Sequence, residues 1–193
     1  MLDMSGAAKR VSTFDEVYAQ IARLPEGLTG EILAPGVLST MSRPGLPHAH
    51  TADMAADALR RQGDPRFGGR GWWIHEEVEV RLPGDMLAVP DLCGWRVERV
   101  PRLPDDNPVV ILPDWCAEIL SPSTAALDRS VKLPLYARCG IAHVWLVDPE
   151  LRLVEVYEST SERPTLVASL RDAESAPLPP FDMEVSVGSW WRS

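Results

Sequence analysis

Three charged side chains in the middle of the chain, two acids and a lysine, have types and surroundings that could do chemistry. Asp91 follows Pro90 and stands between the apolar residues Val89 and Leu92, and Glu118 interrupts the run Trp115-Cys116-Ala117-Glu118-Ile119-Leu120. Lys132 comes one helical turn after Asp128 and one before Tyr136, a spacing that puts the three on one face of a helix. Carboxylates are costly to bury unless they are paired or bind a metal, so two of them on core strands with a cation nearby ask for a shared partner. A divalent ion satisfies both at once. Oxygen ligands favour Mg²⁺ or Mn²⁺, and the lack of Cys or His clusters disfavours zinc. Such an ion polarises a scissile phosphate and acidifies an attacking water, while an ammonium beside it orients that water or balances developing charge.

Each residue also has a purely structural reading. Asp91 at a strand start can accept hydrogen bonds from backbone donors. Glu118 can pair with an arginine such as Arg138, and Lys132 can be a solvated helix residue or a partner of Asp128.

The elements that must position these residues follow from periodicity. Thr13 and Glu16 form a capping box for a helix carrying Phe14, Val17, Tyr18, Ile21 and Leu24 at helical spacing, with Pro25 and Gly27 ending it. Residues 29–33 and 37–41 read as a hairpin around Pro35-Gly36, and 51–62 as a second helix. Residues 72–82 alternate as one strand, Pro83-Gly84-Asp85 turns it, and 86–97 return as the next. Residues 115–120 are a strand ended by Ser121-Pro122, and the helix bearing Lys132 runs to about Arg138. Strands at 143–147 and 153–158 follow. Residues 159–182 read as a proline-containing loop, 183–187 as a last strand, and Trp190-Trp191 as part of a short terminal helix. This order predicts an α/β protein with a mixed central sheet flanked by helices, an N-terminal helix and added hairpin strands.

The 193 residues suit one domain spanning 1–193, with residues 1–12 as a flexible start. Nothing approaches the ~20 apolar residues of a membrane span. The start lacks a signal-peptide pattern, and the three cysteines form no CxxC pair, so a cytoplasmic protein with reduced thiols is expected. A net charge of −9 argues against loose, charge-driven binding to nucleic acid. It leaves room for an enzyme whose local field is set by a metal and a basic patch. The densest positive charge is Arg60, Arg61, Arg66 and Arg70 around a Gly-rich loop. It reads either as a solvated loop beside core tryptophans or as a nucleic-acid-binding patch with Trp72 or Trp73 as a stacking surface.

The residues Gly30-Glu31, Trp72-Trp73-Ile74, Pro90-Asp91-Leu92, Glu118-Ile119-Leu120-Ser121-Pro122-Ser123-Thr124, Asp128, Lys132, Tyr136-Ala137-Arg138 and Trp145-Leu146-Val147-Asp148-Pro149 together resemble the bacterial Uma-two family of restriction-endonuclease-like proteins. The resemblance covers about residues 13–158. It implies the PD-(D/E)xK nuclease fold with Asp91 and Glu118 as ligands of Mg²⁺ or Mn²⁺, DNA as substrate and, by analogy, a homodimer. It also points to Glu31 and His48 as additional site residues, although Glu31 reads equally as a strand-edge residue and His48 as a packing residue at a helix entry. The wider superfamily carries its lysine two residues after the acid, where this chain has Leu120, so Lys132 becomes the replacement cation. Two functions are therefore expected in parallel. One is a metal-dependent endonuclease, and the other is a catalytically inactive nuclease-fold module that binds nucleic acid or protein.

Overall fold

A computed structural model describes residues 12–69 and 71–191. Residues 1–11 of the expected flexible start, and Arg70 of the arginine patch, lie outside the described residues.

The first helix, α1 (Phe14–Ile21), forms as its capping box requires. The Glu16 N–H donates to the Thr13 hydroxyl, and the Glu16 carboxylate accepts from the Thr13 N–H. Strands β1 (Leu28–Ala34) and β2 (Val37–Ser42) make the expected hairpin. The second helix, α2 (Leu46–Gly63), begins five residues before the predicted start at Thr51. Gly45 occupies its N-cap without a side-chain hydrogen bond, Pro47 opens its first turn, and the Thr51 hydroxyl instead donates to the Trp190 carbonyl at 3.0 Å.

The two long strands expected at 72–82 and 86–97 are each cut in two. The first becomes β3 (Trp72–Glu76) and β4 (Val80–Leu82), the second β5 (Met86–Ala88) and β6 (Leu92–Arg96). Glu77 takes a left-handed backbone at φ 50°, and Pro90 can donate no ladder hydrogen bond, so the alternation is preserved in sequence while the ladder breaks. The pieces join different sheets. β4 and β5 complete a four-stranded antiparallel sheet, β2-β1-β5-β4, whereas β3 and β6 enter the central sheet. Asp91 lies in the breach between β5 and β6.

The central sheet has six strands in the order β10-β9-β8-β7-β6-β3, with β7 (Trp115–Ile119), β8 (His143–Asp148), β9 (Leu153–Thr160) and β10 (Arg163–Arg171). Its β7–β8 pair is parallel, joined by a helical crossover, and the others are antiparallel. Strand β10 corrects the loop expected after residue 158. Most of its side chains are exposed, so no buried face shows as alternation in the sequence. Beyond it, β11 (Ser175–Pro177) pairs with β12 (Glu184–Ser186), and the expected terminal helix is one 3₁₀ turn, Gly188–Trp190.

The crossover begins with α3 (Ala125–Leu127), widens into a π-helical stretch at Asp128–Lys132, and closes with α4 (Leu133–Cys139). The wide turn immediately precedes Pro134, which has no N–H and whose ring crowds the carbonyl of Ser130. The Leu133 N–H reaches back to the Asp128 carbonyl, and the Ser130 hydroxyl donates to the Ala126 carbonyl.

Period-two alternation gives the central sheet two dry faces. Trp115, Ala117, Ile119, Trp145 and Val147 pack with Ala55, Ala56 and Leu59 of α2 and with the C-terminal tryptophans. Cys93, Cys116, Val144 and Leu146 pack on the other side against Leu133, Leu135 and Tyr136 of α4. Trp72, read above as a possible stacking surface, belongs to the first core, with its ring 4.8 Å from that of Phe181. Among the described residues no helix is long and apolar enough to cross a membrane.

Candidate active site

Strand register brings the two acids together. Leu92 pairs with Ala117 in the antiparallel β6–β7 ladder, so one step further along puts Asp91 opposite Glu118. Asp91 Oδ2 accepts the Ile119 N–H at 2.7 Å and lies 3.0 Å from His48 Nε2, in the first turns of α2. A carboxylate only accepts here, so Nε2 is the protonated nitrogen of His48. The β6 edge, the end of β7 and the start of α2 thus converge on one carboxylate oxygen.

Glu118, 2% exposed, is held from the crossover. Lys132 Nζ lies 2.7 Å from Glu118 Oε1, and the Tyr136 hydroxyl donates to the same oxygen at 2.5 Å. The ammonium also lies 3.1 Å from Glu31 Oε1 and 3.9 Å from Asp128 Oδ1. Glu31, on β1, is fully buried. Its Oε1 accepts the Val89 N–H at 2.7 Å, while its Oε2 has no hydrogen-bond partner. The resemblance pointed to Glu31 as an additional site residue, beside a strand-edge reading, and the sequence put Asp128 on the face of Lys132 as its possible partner. The structure brings Asp91, Glu118, Lys132, Glu31 and His48 into one cluster and adds Asp128 and Tyr136. The signal for the last two is the four-residue spacing 128-132-136. Arg138 is not the partner of Glu118.

Three carboxylates therefore lie within 3.9 Å of one buried ammonium, with the charge of Asp91 also acting on it, and the electrostatics follow. Burial pushes the Glu118 carboxyl well above the usual carboxylate range. Lys132 opposes this, and repulsion from Asp91, Asp128 and Glu31 adds to it. Burial also pushes Asp128 up to about 6, against Lys132 and the Thr124 hydroxyl. For Lys132, burial alone would lower the pKa, but Glu118, Glu31, Asp128 and Asp91 outweigh it and hold the ammonium charged. Lys132 is thus a fixed positive charge rather than a proton acceptor. Tyr136 stays protonated, since burial and then the charge of Glu118 raise its pKa.

Asp91, Glu118, Asp128, Lys132 and His48 all line one cleft of about 270 Å³. Among the described residues, Asp91 Oδ1 and Glu118 Oε2 have no protein hydrogen-bond partner, because the donors above all fall on Oδ2 and Oε1. No set of three or more His, Cys, Asp or Glu side chains among the described residues could hold a metal ion by itself. Asp91 Oδ1 and Glu118 Oε2 are the carboxylate oxygens that could take part in holding a hard divalent ion, a kind of ion that commonly takes one or two carboxylates and fills its remaining positions with water and substrate oxygens.

The described arginines of the patch, Arg60, Arg61 and Arg66, are absent from the lining of this cleft. Arg60 is about 18 Å along α2 from His48, taking 1.5 Å per residue. Its guanidinium bonds the Ile74 carbonyl and Glu76, and Arg61 bonds Asp57. Arg66 bonds the Ile74 carbonyl and, through two nitrogens, the fully buried carboxylate of Asp64.

A mixed sheet with a helical crossover between its parallel strands, and paired acids at the strand ends beside a buried lysine, define a restriction-endonuclease-like α/β protein. The Uma2 family model, described as "Putative restriction endonuclease", matches residues 15–188, and the chain belongs to that family. A crystal structure described as a "putative nuclease belonging to DUF820" from Anabaena variabilis shares the fold, with a TM-score of 0.71 and 24% identity over 93% of this chain and 98% of that one. No curated protein matches the sequence.

Proposed function

We propose that the protein is a divalent-metal-dependent endonuclease that hydrolyses phosphodiester bonds in DNA. One observation carries this reading: Lys132 Nζ, delivered from the crossover helix, sits 2.7 Å from Glu118 Oε1 in the cleft that Asp91 also lines. Asp91 Oδ1 and Glu118 Oε2 would hold Mg²⁺ or Mn²⁺, which when bound supplies Lewis-acid polarisation of the phosphate and a more acidic water. The chain's own residues do the positioning. His48 and the Ile119 N–H fix the rotation of the Asp91 carboxylate. Lys132 and Tyr136 fix that of Glu118. The ammonium stays charged, favours the ionised form of the carboxylates around it, and opposes negative charge developing on the phosphate.

Single-turnover cleavage of labelled DNA in Mg²⁺ or Mn²⁺ tests the assignment. Wild type is expected to cut at least ~100-fold faster than Glu118→Ala, the scale for removing one preorganised electrostatic element. Equal traces for the two would remove it. Leu120 at the superfamily's lysine position favours a second reading, a nuclease-fold module that binds without turnover. Calorimetry showing no Mg²⁺ or Mn²⁺ uptake at millimolar concentration, with nucleic-acid or protein binding retained, would select that reading.

A further inference from the structure

The cleft is a poor host for a polyanion. Glu77, Asp91, Glu118, Asp128 and Glu150 line it, against two lining residues with permanent positive charge, Lys132 and Arg43. Lys132 is 2% exposed and already held among carboxylates, so it cannot turn toward a strand arriving from solvent. Arg43 differs in each respect. It is exposed, and among the described residues no carboxylate lies within ion-pair distance of it, whereas Arg60, Arg61, Arg66, Arg81, Arg99 and Arg129 are all paired.

Its backbone is held. The Arg43 N–H donates to the Gly27 carbonyl at 3.0 Å, continuing the β1–β2 ladder one step past Leu28–Ser42. Pro44 confines Arg43 to extended backbone, so the base of the side chain is fixed while its guanidinium stays free. That fork matches two phosphate oxygens at once. The hydroxyls of Ser121, Ser123 and Thr124 line the same cleft and can supply neutral donors beside it.

We propose that Arg43 anchors a backbone phosphate of the nucleic-acid strand at the cleft mouth and is the main ionic contact that the cleft makes with its substrate. This rests on the nuclease reading and deepens it, because it assigns substrate positioning to a residue outside the hydrolytic cluster and away from the Arg60–Arg66 patch. A strand held this way contributes about one neutralised phosphate, and hence a slope of log affinity against log salt of only about −0.7 to −0.9 from the cleft.

The test is fluorescence anisotropy of labelled DNA, single-stranded and duplex, titrated with wild type, Arg43→Ala, Arg43→Lys and Arg102→Ala in Ca²⁺ over a range of salt, with single-turnover cleavage in Mn²⁺ alongside. Arg43→Ala is expected to weaken binding about tenfold and to flatten the salt slope by about one. Its cleavage rate at saturating DNA should stay within about threefold of wild type, the split expected of lost uniform binding. Arg43→Lys should restore the slope but only part of the affinity, and Arg102→Ala should match wild type. Wild type that binds and cuts while Arg43→Ala does both equally well overturns the anchor alone. Wild type that binds neither form of DNA overturns the anchor together with the reading beneath it.

Discussion

Lys132 Nζ lies 2.7 Å from Glu118 Oε1 although the two residues come from different elements, a crossover helix and the sheet strand before it. The wide turn ahead of Pro134 and the alternation of β7 together produce the contact. Glu118 shares its face of β7 with Cys116, toward α4, and that face is where Lys132 and Tyr136 arrive.

The first prediction concerns stability. Lys132→Met leaves Glu118 and Glu31 buried without their cation, and breaking a buried pair from one side costs about 3–5 kcal/mol. Adding Glu118→Gln and Glu31→Gln should return much of that loss, because the amide oxygens still accept from Tyr136 and the Val89 N–H. Urea unfolding of the single, double and triple variants measures it. A Lys132→Met protein as stable as wild type would show that the ammonium is not the cluster's counter-charge.

His48 is expected to act through Asp91. With His48→Ala, Asp91 keeps the Ile119 N–H but loses its second restraint, and losing a partner that orients a ligand typically costs 10–100-fold in metal affinity. Half-saturation of cleavage by Mn²⁺ should rise on that scale while the rate at saturating Mn²⁺ changes less. An unchanged Mn²⁺ requirement would assign His48 to packing.

Asp64 supplies a pH prediction away from the cleft. Burial alone would raise its pKa, but hydrogen bonds from the Arg66 side chain and from the Arg66 and Ile74 N–H groups outweigh burial and hold it below its ordinary 3.8. A carboxyl with a depressed folded pKa adds stability that is present above 3.8 and is lost as pH falls through the folded value. The stability gap between wild type and Asp64→Asn should therefore be constant from pH 5 to 7 and shrink below about 3.8. A gap that widens on acidification would contradict the ion pair.

Much of the fold was legible because its signals are local. The Thr13–Glu16 box, the Pro83-Gly84-Asp85 turn and the apolar run around Glu118 each announce an element. Long-range features were less so. The breaks at Glu77 and Pro90 leave the alternation intact, so the transfer of β4 and β5 to a second sheet cannot be read from spacing. The start of α2 was hidden because Gly45 caps it without a side chain, and β10 because it buries almost nothing. Within the candidate site, Asp91, Glu118 and Lys132 stood out as charges in apolar or helical settings. Glu31 did not, because its burial depends on β5 closing over β1 and on a lysine far along the chain.

The most direct test moves the lysine. Lys132→Met is compared with Lys132→Met/Leu120→Lys, which puts an ammonium two residues after Glu118, by single-turnover DNA cleavage in Mn²⁺ on proteins shown to be folded by circular dichroism. The proposed site predicts that Lys132→Met is slower than wild type by at least ~100-fold and that the double variant regains at least ~10-fold of that loss. A folded Lys132→Met protein cutting DNA at the wild-type rate would contradict it.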